Sequence, residues 1–213
     1  MTDPRLVEVL RFYDSLIAGD FDDARTVGWR SAQTQRRNFA ALADIFAKET
    51  GRFSVYDVGC GLADLSRYLQ EVQPAARYAG CDIHPTMIAR ARLRHPGVDV
   101  QERNILESPP EELYDYVVAS GTFSHCAGRD RAWTDYVHEM MGAMFRIARR
   151  GIAVVFLSTF ADLREAGDYH EDPSEILRFA QRELSSLAEI RHSFSPWTFA
   201  IFIYRNATGE GLI

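Results

Sequence analysis

The sequence predicts an α/β domain with a doubly wound, mostly parallel sheet of seven strands, and three observations predict it. Short apolar runs alternate with segments of helical periodicity from about residue 54 to residue 157. The first run leads into Asp57-Val58-Gly59-Cys60-Gly61, a glycine-rich turn before a helix. The last two runs are joined only by Ser195-Pro196-Trp197, too short a link for a parallel crossover, so the final strand is expected to be antiparallel.

The elements follow in order. Asp3-Pro4 reads as a helix start, and Leu6, Val9, Leu10, Tyr13 and Leu16 recur at helical spacing up to Gly19. Residues 19–30 are polar and irregular. A second helix is expected over 31–50, with Phe39, Leu42, Ile45 and Phe46 as its apolar stripe and Gly51 as its stop. Strands are expected at 54–58, 77–81, 98–103, 114–119 and 152–157, with helices over 62–71, 85–94 and 131–149 between most of them. A helix over 174–184 and two strands, 188–194 and 198–205, complete the chain.

Composition bounds the function. The length of 213 residues suits one domain, and 46% hydrophobic with 25% charged residues are ordinary globular values. No apolar run approaches the roughly 20 residues of a membrane span. The N-terminus opens with acid and proline rather than a signal peptide, so a cytoplasmic location is expected. A net charge of −6 argues against a nucleic-acid partner, which needs a basic face. Arg36–Arg37, the run from Arg90 to Arg94 and the run from Arg146 to Arg150 sit at helical spacing and read as solvated faces. Cys60, Cys81 and Cys126 show no paired spacing and read as buried thiols of a reducing compartment. The histidines lack ligand spacing, so no metal is expected.

Three segments carry the chemistry. In the first, Gly59 and Gly61 let ligand atoms approach the backbone after a strand containing Asp57; a bare tight turn is the alternative. In the second, a strand ends in Asp82-Ile83, and Asp82 lies 21 positions past Gly61. That spacing puts a carboxylate at the end of the neighbouring strand, able to accept from two ribose hydroxyls. The alternative is a cap for the helix at 85–94. In the third, Asn104 and the Ile105 N–H follow the next strand and can reach an adenine; a polar loop is the alternative.

Taken together these segments resemble the class I S-adenosylmethionine-dependent methyltransferases, over roughly residues 31–205. The family's first motif matches Asp57, Gly59 and Gly61, with Ala63 in place of the third glycine. Asp82 matches the ribose acid, and Asn104 stands where the family usually has Asp. The antiparallel closing strand also fits, and it excludes a dehydrogenase. The resemblance implies a Rossmann-like sheet with S-adenosylmethionine as cofactor. It implies residues 1–50 as a helical lid on the same domain and residues 51–213 as the cofactor-binding core. Cofactor contacts are then expected from Asp57, Gly59, Cys60, Gly61, Asp82, Ile83, Asn104, Ile105, Ala119 and Ser120. Residues 28–36 are similar to the lead-in of a bacterial small-molecule subgroup, which places Trp29 as a pocket wall and Gln35 or Arg36 near the methionine carboxylate.

Substrate groups should follow the ends of the fourth and fifth strands. His125 is the candidate general base, against an ordinary loop histidine. Phe123, Tyr169 and Trp197 are candidates for an aromatic substrate pocket, against ordinary core aromatics. The tetrapeptide of nucleobase or glutamine amino methylation is absent after the fourth strand. The expected activity is O- or N-methylation of a small molecule, in the manner of natural-product biosynthesis. A protein or RNA methyltransferase, or an inactive S-adenosylmethionine-binding partner subunit, shares the same cofactor motifs. The sequence leaves the oligomeric state open.

Overall fold

Ser31 opens the second helix of the chain by accepting from the Thr34 N–H, one of the orphan donors of a helix start. In the computed structural model, which describes residues 3–19, 24–126 and 131–206, this helix is α2 (Ala32–Ala43) and follows α1 (Val7–Ala18). Asp3 caps a 3-10 turn, Pro4–Leu6, that leads into α1. The periodicity predicts α2 to residue 50, but it tightens at Asp44–Phe46 into a 3-10 turn, which sets Ile45 and Phe46 into the core.

The strands are β1 (Phe53–Val58), β2 (Ala76–Asp82), β3 (Val100–Glu102), β4 (Tyr114–Ser120), β5 (Ala148–Ser158), β6 (His170–Glu171), β7 (Ala188–Arg191) and β8 (Thr198–Tyr204). The remaining helices are α3 (Asp64–Val72), α4 (Pro85–Arg94), α5 (Arg131–Ile147) and α6 (Pro173–Phe179), the last running into a π turn at Ala180–Leu184. The sheet order is β3-β2-β1-β4-β5-β8-β7. β1 through β5 pair in parallel, and β8 is antiparallel to both β5 and β7, as the short link requires. The order of strands reverses between β1 and β4, the switch point where an open α/β sheet leaves a crevice at its C-terminal edge.

Two details depart from expectation. β5 begins four residues early, at Ala148, next to a register shift opposite Tyr114 and Tyr116. An eighth strand, β6, pairs with β5 at Leu157 and Ser158. Thr198 of β8 occupies the other side of Leu157, so β6 extends the sheet beyond the end of β4.

Alternation along the strands divides the core. Tyr56 and Val58 of β1, with Val117 and Ala119 of β4, face a cluster that includes Leu6, Val9 and the buried stripe of α5. Phe53 and Val55, with Tyr116 and Val118, face a second cluster built on Phe39, Leu42, Phe46, Leu65 and Leu69. α1 and α2 are therefore anchored on opposite faces and flank the crevice. Among the described residues, no helix is long and apolar enough to cross a membrane.

Candidate functional site

β1 ends at Val58, and the next two N–H groups, of Gly59 and Cys60, both donate to the Cys81 carbonyl at 2.8 and 2.9 Å. The chain thus curls over the end of β2. Gly59 has φ +70°, and a Cβ there would lie 2.5 Å from Thr122 Cγ2. Thr122 in turn donates its hydroxyl to the Val58 carbonyl at 2.7 Å, locking the loop after β4 against the turn after β1. Asp82 completes the unit. One of its oxygens accepts from the Gly61 N–H and the other from the His84 N–H, each at 2.9 Å. Asp82 thus orders the approach to α4 through His84, the helix N-cap, without capping the helix itself, and it lines the crevice. Each oxygen keeps a lone pair for a further donor.

Of the residues expected at the cofactor, Trp29, Gln35, Asp57, Gly59, Cys60, Gly61, Asp82, Ile83, Asn104, Ile105 and Ser120 line one cavity over this turn. Two do not. Arg36 lies one helix step past Gln35, points at α3, pairs with Glu71 at 2.8 Å and sits over the Tyr68 ring. Ala119 is fully buried in the core, because its side chain faces α5 rather than the strand end. Asn104 is present, but its amide closes a local turn. Its oxygen accepts from the Leu106 N–H at 3.0 Å, and its nitrogen donates to Glu107 at 3.2 Å.

The cavity also holds groups that sequence reasoning missed. Tyr13 of α1, and Trp133, Tyr136 and Met140 of α5, form apolar walls. Their spacing is that of any core stripe, so no sequence signal marked them. Ala63, at the family's third glycine position, has φ +58°, a left-handed backbone that favours glycine for reasons beyond size.

Polar groups in this cavity are poised for a ligand. Ser120 Oγ and His84 Nδ1 are buried without a hydrogen-bond partner. Burial pushes the Asp57 carboxyl up to about 7; the Tyr78 hydroxyl, donating to it at 2.8 Å, opposes this, and Asp82 reinforces it. Burial also raises Asp82, against the stabilising His84 and Gly61 N–H groups. Turn, acids and orphan donors fit a ligand with a ribose, a flat base and a charged amino-acid end.

Tyr13, Val27, Trp29 and Gly121 also line a second cavity, which therefore continues the first. His125 and Trp197 lie in it. The His125 ring stacks on Phe12 with centroids 3.6 Å apart, and its backbone pairs with Asp168. Burial lowers the His125 pKa, while the neighbouring Asp168 opposes the shift. Trp197 donates its indole N–H to Asp162 at 3.1 Å. The other two aromatic candidates lie elsewhere. Phe123 is fully buried, stacked on Phe156 at 5.7 Å, because its side chain follows the β4 face toward α5. Tyr169 is buried against Trp133, its hydroxyl donates to Glu171 at 2.5 Å, and it lines a separate pocket with His138 and Phe179 rather than the second cavity. Among the described residues, no group of three or more His, Cys, Asp or Glu side chains is placed to hold a metal.

A glycine turn at the strand reversal, an acid ending the neighbouring strand and an antiparallel closing strand define a nucleoside-binding α/β domain of the transferase type. A family model described as a methyltransferase domain matches residues 56–146. The chain is 27% identical over 154 residues to the candidate methyltransferase Rv1506c of Mycobacterium tuberculosis, covering 71% of this chain and 92% of that one. These matches support a class I S-adenosylmethionine-dependent methyltransferase. A malonyl-[acyl-carrier protein] O-methyltransferase of Acetivibrio thermocellus is 33% identical over 95 residues, 43% of this chain but only 34% of that enzyme. The crystal structure of magnesium protoporphyrin IX methyltransferase from Synechocystis PCC 6803 with bound S-adenosylmethionine shares the fold. Its TM-score is 0.68 at 16% identity, over 96% of this chain and 100% of that one.

Proposed function

We propose that this enzyme methylates an oxygen or nitrogen of a small molecule seated in the second cavity. The observation that carries the reading is the continuity of the two cavities through Tyr13, Trp29 and Gly121, which gives a donor site and an acceptor site sharing one wall. Asp82 would accept from the ribose hydroxyls, and Ile83 and Ile105 would flank the base. Gln35, Asp57 and Ser120 would meet the amino-acid end. Bound S-adenosylmethionine supplies a methyl group already activated on a sulfonium, so the protein's main tasks are placement and exclusion of water. α1 and α2 serve the second task. Leu10 and Tyr13 of α1 roof the donor cavity, and Asp14 holds α1 to His84 at 3.1 Å. Residues 1–50 are accordingly proposed as a lid on the single domain. His125, in the acceptor cavity, would take the proton of a hydroxyl acceptor.

The aromatic lining of the second cavity, with Phe12, Tyr13, Trp29 and Trp197, supports a small flat acceptor. The Synechocystis relative, by name, also acts on a small molecule. Calorimetric titration with S-adenosylhomocysteine, followed by labelled methyl transfer into a fractionated cell extract, tests the proposal. Label in the small-molecule fraction supports it. Label in protein or RNA overturns it, and cofactor binding with no transfer marks an inactive partner subunit.

A further inference from the structure

We infer that Arg37 holds an anionic group of the acceptor, so that the substrate is a small flat acid; this rests on the methyltransferase reading of the two cavities. Three successive residues of α2 point three ways. Gln35 faces the donor cavity, Arg36 pairs with α3, and Arg37 lines the acceptor cavity. Arg37 Nε is buried and has no hydrogen-bond partner. Its guanidinium carbon lies 5.8 Å from the centre of the Trp197 ring, a cation–π contact that orients the fork without using its N–H groups.

The carboxylates nearby are engaged elsewhere. Glu165 pairs with Arg30, Asp162 accepts from Trp197, and Asp168 lies against His125 and His170. Among the described residues, no ion pair includes Arg37. A guanidinium donor shut away from water and left unbonded is a cost to the folded state that a ligand removes. The edge it presents, Nε with a terminal nitrogen, matches a carboxylate in a bidentate pair, and a phosphate nearly as well. The aromatic walls then receive the apolar body of the same molecule. An acid anchored at Arg37 projects its other end toward Gly121 and Trp29, where the two cavities join.

The test uses the full chain saturated with S-adenosylhomocysteine and three probes of similar shape: trans-cinnamate, cinnamamide and phenyl phosphate. Binding is read by ligand-observed NMR and calorimetry for wild type, Arg37→Gln and Arg37→Lys. The expected result is that wild type prefers cinnamate over the amide by about tenfold or more, the scale of one lost charge-assisted pair. Arg37→Gln should erase the preference and Arg37→Lys restore part of it, with S-adenosylhomocysteine affinity unchanged. Tighter binding of phenyl phosphate than cinnamate assigns the anion as a phosphate. Ligand-free Arg37→Gln should melt no lower than wild type. The inference is overturned by equal or absent binding of acid and amide to wild type, by a preference that survives in Arg37→Gln, or by a lower melting temperature with unchanged probe binding. Failure of wild type to bind S-adenosylhomocysteine would instead remove the methyltransferase reading beneath it.

Discussion

The Asp82 carboxylate accepts from the Gly61 N–H at 2.9 Å, joining the acid that ends β2 to the glycine turn that ends β1. With the second oxygen on the His84 N–H, one side chain orders both loops that frame the proposed ribose position. Asp82→Ala should therefore lose cofactor affinity in two ways, by removing an acceptor and by loosening the turn. The expected loss is roughly ten- to a hundredfold. Asp82→Asn should be milder, because its oxygen still accepts from one of the two N–H groups. Titration with S-adenosylhomocysteine measures both, and an unchanged dissociation constant in Asp82→Ala would take Asp82 out of the site.

Gly59→Val should abolish cofactor binding while leaving the circular dichroism of the fold intact. At φ +70° a branched side chain is strained, and its Cβ would collide with Thr122 at 2.5 Å. Thr122 cannot withdraw without breaking its bond to the Val58 carbonyl. Gly59→Ala meets the same contact with less bulk and should bind with intermediate affinity. Wild-type affinity in a folded Gly59→Val protein would contradict the assignment of the turn.

Much of the lining of the cavity over the glycine turn was legible because its signals are local. Asp57, Gly59, Gly61 and Asp82 are placed by turn chemistry at strand ends, and the spacing between strands is fixed by one crossover helix. Helix phase was not legible. Gln35, Arg36 and Arg37 differ by single steps of about 100°, and only the observed start of α2 at Ser31 decides which one faces which cavity. Position after a strand end also misled for Phe123 and Tyr169. Loop residues there point inward or outward according to packing that the sequence does not encode locally. Trp133, Tyr136 and Met140 line the cavity with the spacing of a core stripe, since the same helix face serves both.

Asp57 should make cofactor binding depend on pH. Its carboxyl is pushed up to about 7 by burial, so below that pH it is mostly neutral in the free protein. The cationic amino group of the ligand favours the ionised form. Affinity for S-adenosylhomocysteine should therefore fall as pH drops below about 7, by up to about tenfold per unit. Asp57→Asn should bind more weakly at pH 8 and show little of this dependence. The same group affects stability with a definite sign. Between the unfolded carboxyl pKa, about 3.9, and about 7, the folded state holds a proton that the unfolded state has lost. Its contribution therefore falls as pH rises through that window and is flat above it. The melting temperature of Asp57→Asn relative to wild type should accordingly rise between pH 5 and pH 8. A constant difference would show that Asp57 titrates normally.

His125 is proposed as the base for an acceptor that carries a proton. It sits beyond the shared wall, stacked on Phe12, so His125→Ala should leave S-adenosylhomocysteine affinity nearly unchanged. If a hydroxyl is the acceptor, turnover in His125→Ala should fall roughly a hundredfold, the usual scale for removing a general base. The base is the neutral imidazole, and burial lowers its pKa below the ordinary 6.5. Wild-type activity should then decline as pH drops through a midpoint below 6.5, and that limb should vanish in His125→Ala. Asp168 supplies an independent check. Its charge raises the His125 pKa, so Asp168→Asn should move the limb to still lower pH without removing it. The pH–rate profiles of the three proteins, measured with the acceptor found in extract labelling, separate these outcomes. An acid limb that persists unchanged in His125→Ala places the titrating group elsewhere. Full turnover in that variant means the accepting atom carries no proton at neutral pH, and placement alone then accounts for the rate.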